Sequence, residues 1–424
     1  MNYKVIDKCR VCYQNNTLVK VLSLPATPPA NEFVEKEVEQ EKYPLDLMEC
    51  NKCGFVQLSV QVDPSILFKN YVYVSGTSQV FVNHFKDYAK SMVEQFELKK
   101  TYYTPKVLDI GSNDGTLLKA FKEYKLDVIG VDPAENIAKK ANKDGIFTIP
   151  KFFDSSVCFE ILQKYGYLDL ITANNVFAHN SDLWSFLKNV KELLTDDGVF
   201  VFECAYIVDM IKNISFDQIY SEHYYTHSIS ALMELFRIHN LRMFNIEKVN
   251  THGGSIRVYV CNENAKHKDK VLLKSFVEEE VNLGLKASKW ILEKYNLKIA
   301  KKDIFKEYSD KIDLLKNKLN SKLLELKKEN KRVVGFGAPA KFCTLSHTFG
   351  ITKDLIEVII DNSTLKQNLL TPGNHIPVVS SKYLKENDID YVVVFAWNFA
   401  DSIIKNNSEY KGKWIIPIPE FKIV

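Results

Sequence analysis

Lys106-Val107-Leu108-Asp109-Ile110-Gly111-Ser112-Asn113-Asp114-Gly115 is the stretch from which the fold can be read. Its first half is a short apolar run of the kind that forms a strand buried on both faces. Glycines then bracket a polar turn, and apolar residues recur at helical spacing from Thr116 to Tyr124. A strand, a glycine turn and a helix in that order open a βαβ unit, and the glycines let the backbone approach a ligand closely. The run departs from the dinucleotide fingerprint G-x-G-x-x-G, because its glycines stand four apart with acidic residues on both sides.

An acidic turn disfavours a pyrophosphate and suits a cation, such as the amino group of S-adenosylmethionine. Outward from the turn, Val128 to Asp132 reads as a second strand ending in a carboxylate where adenosine cofactors have their ribose hydroxyls held. Leu168 to Ala173 is a third strand, leading to Asn174 and Asn175; a helix over 183–194 and a strand over 199–203 follow. Strands alternating with helices imply a mainly parallel sheet covered on both faces, an α/β fold. The unit resembles the class I, Rossmann-like methyltransferase fold. By that reading Asp109, Gly111, Ser112, Asn113 and Gly115 cradle S-adenosylmethionine, Asp132 takes its ribose, and Asn174 and Asn175 lie over its methionine part.

Eight cysteines in 424 residues make a poor disulfide framework, but four form two Cys-x2-Cys pairs, Cys9/Cys12 and Cys50/Cys53. Two such knuckles supply the four thiolates of a structural Zn2+, with no open position for water. Cys158, Cys204, Cys261 and Cys343 lie in apolar stretches and read as small buried hydrophobes. The expected organisation is a zinc-binding module over 1–70, a methyltransferase domain over 71–265, a helical linker over 266–331 and a C-terminal Rossmann-like α/β domain over 332–424. The linker is lysine-rich, with Leu314, Leu315, Leu319, Leu323 and Leu326 in one stripe, and reads as a long solvated helix. The alternation then restarts with strands at 332–337, 356–361 and 391–395.

Lys plus Arg (56) nearly balance Asp plus Glu (53), for a formal charge of +3, so no basic footprint points to nucleic acid or an anionic membrane. No apolar run approaches the roughly 20 residues of a membrane helix, and Met1 to Val5 lead into no signal-peptide core. These features predict a cytoplasmic protein with a small-molecule partner, as a monomer or homodimer.

Between the last strand of the central unit and the linker lies Phe216-Asp217-Gln218-Ile219-Tyr220-Ser221-Glu222-His223-Tyr224-Tyr225-Thr226, dense in polar and aromatic groups. A histidine beside a carboxylate suits proton abstraction near neutral pH. His179, just past a strand end, and Thr251-His252-Gly253-Gly254-Ser255-Ile256-Arg257, a glycine pair beside a cation, are further candidates. His252 also reads as a hydrogen-bond donor stabilising the turn, and Tyr224 and Tyr225 as wall.

The order of these motifs, from the Cys-x2-Cys module to Gly335-Phe336-Gly337-Ala338-Pro339-Ala340-Lys341, resembles the sugar C-methyltransferase family over nearly the whole chain. Such enzymes methylate C3 of nucleotide-linked 4-keto-6-deoxy sugars. The resemblance implies His223 as general base with Glu222 and Tyr220 as neighbours, and His179 and a tyrosine of Tyr71-Val72-Tyr73, Tyr73 or its competitor Tyr71, helping to place or ionise the sugar. His252, Gly253 and Arg257 are expected at the substrate, and Gly337, Ala338 and Lys341, at a helix start, on its diphosphate. Competing readings are an O- or N-methyltransferase of a nucleotide sugar and a nucleotide-sugar oxidoreductase or binding protein.

Overall fold

The computed structural model describes residues 2–68, 76, 79–99, 102–249, 253–270 and 272–424. The N-terminal strands are β1 (Tyr3–Val5), β2 (Leu18–Thr27), β3 (Tyr43–Cys50), β4 (Val56–Leu58) and β5 (Val60–Val62). The central unit contributes β6 (Lys106–Ile110), β7 (Asp127–Val131), β8 (Thr148–Ile149), β9 (Leu168–Thr172) and β10 (Leu194–Ala205). After these come the two-residue β11 (Tyr225–Thr226), then β12 (Leu241–Val249) and β13 (Ser255–Asn262).

The central sheet has seven strands in the order β12-β13-β10-β9-β6-β7-β8, all parallel except β13, which pairs antiparallel with both neighbours. The strand order reverses between β6 and β9. At such a switch point the connections depart to opposite faces and leave a crevice beyond the carboxyl ends of the strands. The turn 111–115 and the residues Ala173–Asn175 both lie there. The strands are covered by helices, such as Thr116–Glu123, where Leu117, Leu118, Ala120 and Phe121 face inward, and Ile229–Ile238, which is buried on nearly every side.

The N-terminal segment is not a separate bead. Its four-stranded sheet, ordered β11-β4-β3-β2, takes its edge strand β11 from the segment singled out as catalytic, with Tyr225 opposite Gln57 and Thr226 opposite Val56. Tyr224 adds two bonds to the N-terminal strands, its carbonyl accepting from Leu58 N–H of β4 at 2.8 Å and its hydroxyl donating to Val62 O of β5 at 2.9 Å.

The linker departs from the expected single helix. It comprises the helices Leu272–Asn282, Lys289–Tyr295 and Ile304–Lys328. Gly284 breaks the first run with φ +93°, close against the Lys302 carbonyl, and Asn296 ends the second in the left-handed region. Leu315, Leu319, Leu323 and Leu326 of the expected stripe are buried, whereas Leu314 turns to solvent. The stripe is therefore packing surface rather than a solvated face.

The C-terminal strands are β14 (Val333–Phe336), β15 (Ile359–Ile360), β16 (Val378–Val379), β17 (Tyr391–Val394), β18 (Lys413–Ile416) and β19 (Lys422–Ile423). They form a second doubly wound sheet, β16-β15-β14-β17-β18-β19, parallel apart from β19. Its switch point lies between β14 and β17. The chain is thus α/β with two Rossmann-like sheets and a metal-ligand cluster at its N-terminus, as the alternation of elements predicts. Among the described residues, no helix is long and apolar enough to cross a membrane.

Candidate active site

The thiols of Cys9, Cys12, Cys50 and Cys53 all lie within 4.8 Å of one another, with Cys9 to Cys53 at 3.5 Å and Cys12 to Cys50 at 3.7 Å. A tetrahedron with Zn–S bonds of about 2.3 Å has edges of about 3.8 Å, close to these two spacings, so the cluster fits Zn2+. The peptide N–H of Val11 points at Cys9 Sγ, the contact that supports a thiolate from behind. Gly54 turns the second knuckle at φ +74°, and a β-carbon there would sit 1.8 Å from the Lys286 carbonyl. Only glycine lets the knuckle dock on the linker.

At the central switch point, Gly111 has φ +71° and stands so close to Val176 that a β-carbon would lie 2.3 Å from Cγ2. Asn113 N–H donates to Asp132 Oδ2 at 2.8 Å and Ala134 N–H to Oδ1 at 2.9 Å, which locks the ends of β6 and β7 together. A carboxylate oxygen accepts more than one bond, so Asp132 retains capacity for ribose hydroxyls. Asp109 accepts from Thr172 Oγ1 at 2.7 Å, and burial pushes its carboxyl up to about 7. Among the described residues, Ser112 Oγ and Asn174 Nδ2 are buried without a partner in the protein. Buried polar atoms cost free energy unless matched, so orphans on this crevice fit a polar ligand. Asn174 Oδ1 accepts Glu203 N–H at 3.1 Å, and Asn175, at φ +56°, donates its N–H to Glu203 O.

The segment 216–226 brings His223, Tyr220 and His179 together. His223 Nδ1 lies 2.8 Å from the Gln218 carbonyl, which can only accept, so Nδ1 carries the proton. Nε2 is then the lone-pair nitrogen, 2.8 Å from the Tyr220 hydroxyl. Burial lowers the His223 pKa to about 4, with Lys341 adding to the effect, so the ring is neutral at physiological pH. His179 stacks on His223 with centroids 5.1 Å apart and on Phe68 at 5.3 Å; its Nε2 is another buried atom without a partner among the described residues. Burial and the two neighbouring histidines, His223 and His227, depress its pKa strongly.

Glu222 takes a different direction from the histidine beside it. Its carboxyl accepts from Asn31 Nδ2 at 3.2 and 3.3 Å, an N-terminal residue with no sequence signal beyond the preceding Pro28-Pro29-Ala30. Gln218, the orienting group of His223, also escaped the sequence reading, since it acts through its backbone.

Arg257 forks onto Glu203 Oε1 at 2.9 and 2.7 Å, stacks over Tyr88 and lies 3.6 Å from Glu247. His84 reaches the other Glu203 oxygen at 2.8 Å. Gly253, at φ +91°, abuts Trp397, whose indole N–H donates to Asp217 at 2.7 Å. Lys341 lies over the same indole, buried, and Asp217 is its nearest opposite charge. In the C-terminal turn, Gly337 has φ +90°, and Ala338 N–H donates to Asp361 at 2.7 Å. Tyr71, Tyr73 and His252 lie outside the described residues.

Three family models match the chain. Residues 9–68 match "Putative zinc binding domain", 83–245 "Methyltransferase domain" and 250–419 "C-methyltransferase C-terminal domain". A curated relative, the C-methyltransferase NovU of Streptomyces niveus, is 32% identical over 425 aligned positions, covering 99% of this chain and 97% of the relative. Among solved structures, magnesium protoporphyrin IX methyltransferase of Synechocystis PCC 6803 with bound SAH aligns over 43% of this chain and 82% of its own, at 12% identity and a TM-score of 0.33. The PH0226 protein of Pyrococcus horikoshii OT3 aligns over 45% and 95%, at 16% identity and a TM-score of 0.33.

Proposed function

This chain belongs to the C-methyltransferase family, a zinc-binding, S-adenosylmethionine-dependent group, and on that premise we propose that it methylates C3 of a nucleotide-diphosphate-linked 4-keto-deoxy sugar, with His223 as the base. The observation that carries this reading is the imidazole of His223. Burial keeps it neutral, the Gln218 carbonyl fixes its tautomer, and its Nε2 lone pair meets the Tyr220 hydroxyl rather than a carboxylate.

A sugar carbon becomes nucleophilic only when a neighbouring ketone acidifies its hydrogen. His223 Nε2 takes the C3 proton, directly or through the Tyr220 hydroxyl bonded to it, and the electron pair spreads onto the C4 oxygen. We assign the donation to that oxygen to His179, whose stacking on the base and unmatched Nε2 support the role. S-adenosylmethionine supplies a methyl group activated by its cationic sulfur. The residues around Asp109, Ser112 and Asn174 have the chemistry to orient that donor, and most of the rate enhancement comes from aligning the two reactants. Gly337 and Lys341 of the C-terminal turn are assigned to the diphosphate and Gly253 and Arg257 to the edge of the sugar site, whereas the Ala338 N–H is already taken by the Asp361 carboxylate. The proposed setting is the cytoplasm.

His223→Ala tests the reading. Donor affinity is expected to stay at the wild-type value while transfer falls by roughly 10²–10⁴-fold. Unimpaired turnover removes His223 from the mechanism.

A further inference from the structure

The loop between β2 and β3 belongs to the zinc module by sequence, yet it lies between the catalytic segment and the C-terminal domain. Val34 and Leu370 exchange backbone bonds at 3.1 and 2.7 Å, and Gln40 accepts Gly373 N–H at 2.7 Å. Pro28 O faces the Cys343 thiol at 3.7 Å, and Thr344, one residue on, donates its hydroxyl to Ile219 O at 2.8 Å. Phe33 lies 5.3 Å below the ammonium of Lys366, which donates to Ala338 O at 2.8 Å. At the centre of this clamp, Asn31 Nδ2 is shared between both oxygens of Glu222.

We propose that Asn31 is a positioning residue of the active site, fixing the Glu222 carboxyl so that the zinc module forms part of the catalytic wall rather than only a fold staple. The inference rests on the reading that Glu222 serves the sugar site. Glu222 is 1% exposed and turned away from His223, whose orienting partners are Gln218 and Tyr220. Its carboxyl is therefore free of the base and is aimed by Asn31 alone among the hydrogen bonds it accepts from described residues. The charged and titratable groups facing it are Lys366 from the C-terminal domain, Cys343 from the helix Ala340–Phe349 and its own neighbour Tyr224. Burial raises the Glu222 pKa to about 7, and the Asn31 and Lys366 contacts oppose that rise. Loss of the side-chain amide leaves the carboxyl held by the Asn31 backbone N–H, loosens its orientation and raises its proton affinity further.

The test compares Asn31→Asp and Asn31→Ala with Glu222→Gln in the full chain, reading kcat against pH, the KM for S-adenosylmethionine, and thermal unfolding. Asn31→Asp sets two carboxylates together that share one proton as pH falls. It is expected to lose kcat by about 10- to 100-fold at pH 8 and to regain most of it at pH 6, where the shared proton replaces the amide donor. Asn31→Ala is expected to lose kcat at both pH values, and the donor KM should not move in either variant. A merely structural role would not restore activity on acidification. If Glu222→Gln is impaired while both Asn31 variants keep the wild-type kcat and pH profile, the positioning role is overturned. Wild-type turnover by Glu222→Gln overturns instead the underlying placement of Glu222 in the sugar site, and the proposal with it.

Discussion

Asp109 lies near the end of β6, just before the glycine turn that is assigned to the methyl donor. Its carboxyl is 4% exposed; burial raises its pKa to about 7, the Thr172 hydroxyl opposes the rise, and Asp132 reinforces it. A carboxyl whose folded pKa lies above its unfolded one stabilises the protonated fold. The apo protein therefore loses stability as pH climbs from about 4 to 7, by about 4 kcal/mol at most from this group. A cationic donor bound beside it favours the ionised form. At pH 6 about one molecule in ten carries that form before binding, against nearly all at pH 8, so the donor should bind about tenfold more weakly at pH 6, a difference of about 1.4 kcal/mol. Titration calorimetry with S-adenosylmethionine in two buffers of different protonation enthalpy should register proton release at pH 6. Asp109→Asn keeps an oxygen for Thr172 but cannot ionise. It should bind the donor more weakly, without this pH dependence, and its apo form should be more stable than wild type at pH 8. A wild-type Kd that is flat from pH 6 to 8, or an Asp109→Asn variant with the same slope as wild type, refutes the reasoning.

Three further outcomes follow from the same geometry. Chelation should release about one Zn2+ per chain by colorimetric assay and lower the unfolding temperature, because the knuckles carry β3 and β4 and, through β4, the segment that ends in β11. Gly111→Ala meets both a left-handed backbone, costing about 1–2 kcal/mol, and Val176 at 2.3 Å, so calorimetry should show donor affinity falling more than global stability. Glu203→Ala leaves the buried Arg257 guanidinium with the more exposed Glu247 at 3.6 Å and should destabilise the fold in denaturant unfolding, by less than the ~3–5 kcal/mol of a fully unpaired buried charge.

The central fold was legible because its signals are local. Buried parallel strands such as Val107–Ile110 read as apolar runs, and the Gly111 to Gly115 turn marks where the first one stops. The zinc cluster was legible for the same reason: each knuckle is four residues long, and the fold had only to bring two of them together. The strands β12 and β13 left a weaker trace, since Asn245, Glu247 and Lys248 interrupt the apolar pattern of an exposed sheet edge. Lysines at helical spacing masked the breaks at Gly284 and Asn296. Contacts across long separations left no trace at all. Asn31 and Glu222 are 191 positions apart, and Arg257 shows its cation in the sequence but not the Glu203 that engages it. The segment 216–226 reads as a loop motif, yet its shape comes from three regions, with β4 pairing it, Ala178 O accepting Tyr224 N–H, and Trp397 holding Asp217.

The most direct test of the account is the position of the transferred carbon. The enzyme is incubated with S-adenosylmethionine carrying a ¹³C-methyl group and a panel of 4-keto nucleotide sugars, and the product is read by NMR. The account predicts a methyl signal coupled to a quaternary C3, with no label on oxygen or nitrogen. A methoxy or N-methyl signal, or a label on any other ring carbon, contradicts it.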